Sequence, residues 1–126
     1  MIEKISEAEL EVLKVLWNEN REMSSVEIID ILRKHMGWEK STIRTLIHRL
    51  AEKGALIQEK REVYYYFPKI AEKEYSDEQT RIFCIKMYKG NAGKLVASLF
   101  EQDIIRPEDI EQLKQFWKEG DKGDVQ

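Results

Sequence analysis

The 126-residue chain holds one cysteine, two histidines and no long apolar run, and each scarcity removes a class of protein. A lone Cys84 excludes an intramolecular disulfide framework and suits a reducing cytoplasm. His35 and His48 lie 13 residues apart, so no clustered His/Cys metal site is expected. No stretch approaches the ~18 apolar residues of a membrane helix, and the N-terminus lacks the apolar core of a signal peptide. There is no Gly-rich phosphate loop and no nucleophile–base pair at recognisable spacing. Neither an enzyme nor a bound cofactor is therefore expected.

What is present is a foldable composition, 42% hydrophobic and 36% charged, enough for one compact domain or two small ones. A net charge of -3 argues at first sight against nucleic acid as a partner. The charge is unevenly spread, however. Residues 1–32 carry three bases and eight acids, and residues 62–126 carry ten bases and thirteen acids. Residues 33–61 carry eight bases against three acids, a net +5. Such a block is either the footprint of phosphate binding or a solvated helix face, and periodicity has to decide between them.

Ser6 reads as an N-cap, and Ile5, Ala8, Val12, Leu13 and Leu16 recur at helical spacing to about Asn18. Asn20 and Arg21 mark a break. Ser24 and Glu27 form a capping box for a second helix, which Gly37 stops. Trp38–Ser41 is a short connection into a third helix, where Ile43, Leu46, Ile47 and Leu50 make an inner stripe. Gly54 ends that helix. The period then becomes extended: Leu56–Lys60 and Val63–Phe67 are rich in β-branched and aromatic residues around Arg61-Glu62, and Pro68 closes the second run. Three helices and a hairpin predict a mainly α protein with an N-terminal winged helix-turn-helix over residues 1–70.

Residues 71–120 read as a C-terminal helical region, a long helix and two shorter ones, the last opened by Pro107. Residues 121–126 read as a flexible polar tail. About 50 residues in three helices bury their apolar faces poorly alone, so they pack against the first section or against a second copy. As a dimerisation region they would present Tyr75, Ile82, Phe83, Leu95, Leu99, Phe100, Ile110, Leu113 and Trp117.

With the inner stripe of the third helix facing the core, Ser41, Thr45 and His48 point outward, flanked by Thr42 and Arg44. Short hydroxyls and a guanidinium with almost no apolar bulk suit base edges in a major groove. Lys40 and Arg49 beside them, with Lys60 and Arg61 at the wing, are candidate phosphate contacts. Each residue also has a plainer reading. Ser41 or Thr42 caps the helix, Arg44 pairs with a surface carboxylate, His48 is simply solvated, and Glu52 is structural or repels phosphate mildly. Tyr64–Phe67 pack the wing, and Cys84 is a buried thiol.

The segments Ile5–Val12 with Leu16-Trp17, Trp38–Leu50 with Lys53-Gly54, Tyr64–Tyr66, Tyr88–Gly90 and Glu108–Leu113 resemble the penicillinase-repressor (BlaI/MecI/CopY) family of winged-helix transcriptional regulators. Thr42-Ile43-Arg44-Thr45-Leu46 carries the likeness most specifically. The resemblance implies a cytoplasmic bacterial repressor, homodimeric through its C-terminal helices, binding palindromic promoter DNA to control a β-lactamase or another stress-response gene. Thr42, Arg44 and Thr45 match the operator-contacting helix, and Ser41 stands where lysine is frequent. Copper-responsive members carry paired Cys-x-Cys motifs that this chain lacks. Members controlling β-lactamase are cut at an Asn-Phe bond in the fifth helix, with a membrane sensor-transducer metalloprotease as the implied partner. The same register here holds Ser98-Leu99, without that motif. From a different class, a winged-helix protein–protein interaction module without direct DNA binding is the alternative, favoured by the acidic first helix.

Overall fold

The structure is a computed structural model and describes residues 4–123. The elements run α1 (Glu7–Glu19), β1 (Met23–Ser24), α2 (Ser25–Met36), α3 (Lys40–Glu52), β2 (Leu56–Lys60), β3 (Tyr64–Pro68), α4 (Glu72–Tyr88), α5 (Ala92–Glu101) and α6 (Pro107–Gly123). The chain divides into two compact units, Met1–Asp77 and Glu78–Gln126. The first is the winged helix-turn-helix, so the mainly α architecture anticipated from the sequence is present.

Local chemistry explains the helix ends of that unit. Ser6 caps α1, accepting from the Glu9 N–H while the Glu9 carboxylate accepts from the Ser6 N–H, and Ser24 with Glu27 repeats the arrangement on α2. Asn20 leaves α1 in the left-handed region at φ 54°, a conformation its short polar side chain tolerates. Gly54, at φ 79°, turns the chain from α3 into β2. The third helix begins at Lys40 rather than after Ser41, so the connection before it is shorter than anticipated.

The hairpin turn takes in Val63 as well as Arg61 and Glu62, because Lys60 pairs with Tyr64. The Arg61 N–H donates to the Val63 carbonyl across it. A strand not anticipated, β1, pairs antiparallel with β3, giving the order β1-β3-β2. Two residues carry no readable period; Met23 and Ser24 become a strand only because Tyr66 and Tyr65 lie opposite.

The core of the first unit is built from Val12, Leu13 and Leu16 of α1, Ile28 and Leu32 of α2, the α3 stripe, Met23 and Tyr66. Tyr75, in the first turn of α4, packs at the margin of this core with its ring 5.9 Å from that of Trp17. It therefore packs within the first unit, which extends to Asp77. At the other end, α6 continues to Gly123, past the 120 boundary expected for the tail; residues 124–126 lie outside the described residues.

Glu9 is only 2% exposed. Its carboxylate accepts from the Lys53 ammonium, which also donates to the Lys4 carbonyl, so the start of α1 is tied to the end of α3. Burial pushes the Glu9 carboxyl up, but Lys53 and the Ser6 N–H outweigh it and leave the pKa below the ordinary carboxylate value. The unfolded chain thus binds this proton first: the contribution to stability is full above about pH 4.5 and is lost as pH falls through the lowered value. Lys53→Met should cost about 2 kcal/mol in urea unfolding at neutral pH. Glu9→Gln should flatten the acid limb of a stability–pH profile, and an unchanged limb would remove the pair from the account.

Candidate nucleic-acid interface

Ile43, Leu46, Ile47 and Leu50 are all buried, which sets the rotation of α3. Lys40, Ser41, Thr42, Arg44, Thr45, His48, Arg49 and Glu52 are exposed as a result. Neither Ser41 nor Thr42 serves as a cap: the N-cap is Glu39, and it makes no side-chain cap bond. The Thr45 hydroxyl donates to the Ser41 carbonyl at 3.0 Å. His48 lies 3.4 Å from Glu52, both well exposed, a pair that carries charge on both sides only when the imidazole is protonated.

The eight cations of residues 33–61 fall into two groups. Lys34 pairs with Asp30, Lys53 with Glu9, and Arg61 with Glu22 and Glu59. Arg33, Lys40, Arg44, Arg49 and Lys60 are exposed and have no ion-pair partner among the described residues. Four of these five flank or lie on α2 and α3, and Lys60 is on the wing. Arg44 is thus not neutralised by a surface carboxylate. Arg33 was not singled out from the sequence beyond its place in the basic block. It lines a shallow groove between α2 and α3 with Lys40, Arg44 and the exposed Val26. Its position eight residues into α2, on the side that meets α3, was the available signal.

Arg61 behaves differently from its neighbour Lys60. Its guanidinium lies 2.9 Å from Glu22 and 3.0 Å from Glu59, with its central carbon 4.3 Å from the centre of the Tyr65 ring. Hydrogen bonds to Glu59 and Glu22 push its pKa further up, and Arg61 in turn holds the Glu59 carboxyl below its ordinary value. Both hydrogen bonds come from one terminal nitrogen, Nη2, so two carboxylates hold Arg61 while its Nη1 and Nε donors are not engaged by them.

The second unit has no buried residue from Glu78 to Glu119. Ile82, Phe83, Phe100, Leu113 and Trp117 are exposed, Trp117 at 75%, while Leu95, Leu99 and Ile110 are half-buried. Ser98 and Leu99 are half-buried within α5, and the Gln102 amide donates to the Ser98 hydroxyl at 2.7 Å. Among the described residues, no group of three His, Cys, Asp or Glu side chains could hold a metal ion. No helix among them is long and apolar enough to cross a membrane.

Comparison with known proteins gives this surface a context. A family model for the penicillinase repressor matches residues 5–119. The penicillinase repressor of Bacillus licheniformis is 36% identical over 119 residues, which cover 94% of this chain and 92% of that protein. The methicillin resistance regulatory protein MecI of Staphylococcus aureus is 31% identical over 112 residues, 88% of this chain and 90% of its own. Among solved structures, the DNA-binding domain of the repressor BlaI matches with a TM-score of 0.54 at 42% identity, covering 60% of this chain and 92% of that one. The monomeric form of Bacillus licheniformis BlaI in complex with the blaP half-operator gives 0.52 at the same identity. The family match over residues 5–119, with a relative 36% identical over 94% of this chain, shows that the chain belongs to the penicillinase repressor family of DNA-binding transcriptional repressors and is not an enzyme.

Proposed function

We propose that this repressor works as a cytoplasmic homodimer on palindromic promoter DNA, controlling a β-lactamase or another stress-response gene. The observation that carries the reading is the outward face of α3, polar throughout and bearing a guanidinium with no ion-pair partner among the described residues. Ser41, Thr42, Arg44, Thr45 and His48 face the base edges: Arg44 forks onto a guanine, and Thr45 offers its methyl to a thymine. Arg33, Lys40, Arg49 and Lys60 hold phosphates, which fix register without reading sequence. The relative solved in complex with a half-operator supports operator DNA as the ligand.

The unburied apolar side chains of the second unit support a homodimer, with Ile82, Phe83, Leu95, Leu99, Phe100, Ile110, Leu113 and Trp117 at its interface. Two recognition helices about 34 Å apart would then enter successive major grooves. A membrane sensor-transducer metalloprotease is the partner that would lift repression. Cleavage at Ser98-Leu99 would require α5 to open, since both residues are helical and half-buried.

Footprinting across the gene's own promoter region should reveal a saturable, two-fold symmetric site; no binding at low salt would return the docking-module reading. Arg44→Ala should weaken that site by about 1–3 kcal/mol and relax preference at one base per half-site. An equal loss on random duplex would take Arg44 out of base reading. Leu99→Asp should yield monomers in sedimentation and weaken the full palindrome far more than an isolated half-site. A dimer that survives it would move the interface elsewhere.

A further inference from the structure

Arg61 sits at the wing, where a free cation would meet DNA backbone, yet its side chain is folded back across the sheet. The sheet order is β1-β3-β2. Glu59 is on β2, and Tyr65, on β3, is its register partner. Glu22 immediately precedes β1, the strand on the other side of β3. The guanidinium thus reaches from one edge of the sheet to the other over the Tyr65 ring, with 2.9 and 3.0 Å contacts to Glu22 and Glu59. The cluster as a whole carries one cation and two anions, so Arg61 adds no net positive charge to the wing where the bare sequence suggested it would. Lys60, next to it, has no such partner among the described residues.

We propose that Glu22 and Glu59 clamp Arg61 away from the DNA backbone and so set the repressor's sequence-independent affinity. This rests on the DNA-binding reading above. Each phosphate neutralised by a protein cation adds about 0.9 to the slope of log K against log salt. Withholding one cation therefore lowers affinity for every site alike, without altering what α3 reads. A repressor outnumbered by random genomic sites gains from this, because less of it is held on them.

The test is salt-dependent binding of the full chain to the footprinted site and to a random duplex. Arg61→Ala should leave the salt slope unchanged, whereas Lys60→Ala should lower it by about 0.9. The double variant Glu22→Gln, Glu59→Gln keeps side-chain shape but frees the guanidinium. It should steepen the slope by about 0.9 and raise random-duplex affinity about eightfold near 0.1 M salt. In an Arg61→Ala background the same pair should leave the slope where it was, which separates release of Arg61 from simple loss of negative charge. If the double variant does not fold, Glu22→Gln alone should raise random-duplex affinity more in the wild-type background than in an Arg61→Ala background, and an equal rise in both would overturn the clamp. The clamp is overturned if Arg61→Ala lowers the wild-type slope as much as Lys60→Ala does, or if the glutamine variants leave slope and affinity unmoved. A wild-type chain that fails to prefer its own promoter site would overturn the DNA-binding reading instead, so the two failures are distinguishable.

Discussion

Burying Ile43, Leu46, Ile47 and Leu50 against α1 and α2 is the constraint on which the candidate DNA-reading surface depends. A helix has one rotation about its axis that hides a given stripe, and once hidden it determines every outward position. Were α3 to rotate by one residue, roughly 100°, Arg44 would turn toward the core and an isoleucine toward solvent, at a cost of several kcal/mol in lost burial and desolvated charge. Recognition and core packing are therefore set by the same side chains. The Glu9–Lys53 pair, closing the start of α1 onto the end of α3, restrains the helix at its far end from the groove lined by Arg33 and Arg44.

Charge follows a comparable division of labour. The chain is acidic overall, and formal charge alone would place its basic block at +5. The geometry spends part of that block internally: Lys53 in a half-buried tie between helices, Lys34 along α2, Arg61 across the sheet. What remains available to an external phosphate is a subset chosen by the fold. Glu9 illustrates the converse. By sequence it is one of eight acids in the first 32 residues, yet buried and paired with Lys53 it adds little to the field that DNA meets.

Patterns that repeat within a few residues were legible in the sequence. Ser24 with Glu27, the α3 stripe and Gly54 each act through neighbours at most a turn or two away, and all three stand as read. Features that depend on distant partners were not. Met23 becomes a strand through Tyr66, Tyr75 joins the first unit through Trp17, and Arg61 pairs with Glu22, 39 residues away in the sequence. Periodicity cannot report such pairings, because it describes which face a residue occupies and not what lies opposite. The candidate base-reading positions were legible for that reason: they are defined by a face alone.

The second unit poses the opposite problem, a set of faces with nothing on them. Between Glu78 and Glu119 no side chain is buried, although Phe83, Phe100, Phe116 and Trp117 are among the largest apolar groups in the chain. A free polypeptide of about fifty residues with that exposure would recover too little hydrophobic energy to offset its conformational entropy. In the proposed homodimer its helices would gain stability by covering those groups against the same surface of a second copy. Folding of the second unit and spacing of the two α3 helices would then be one event. Weakening the apolar cover would release the operator without touching a single residue that faces it, since each recognition helix alone holds only half a site.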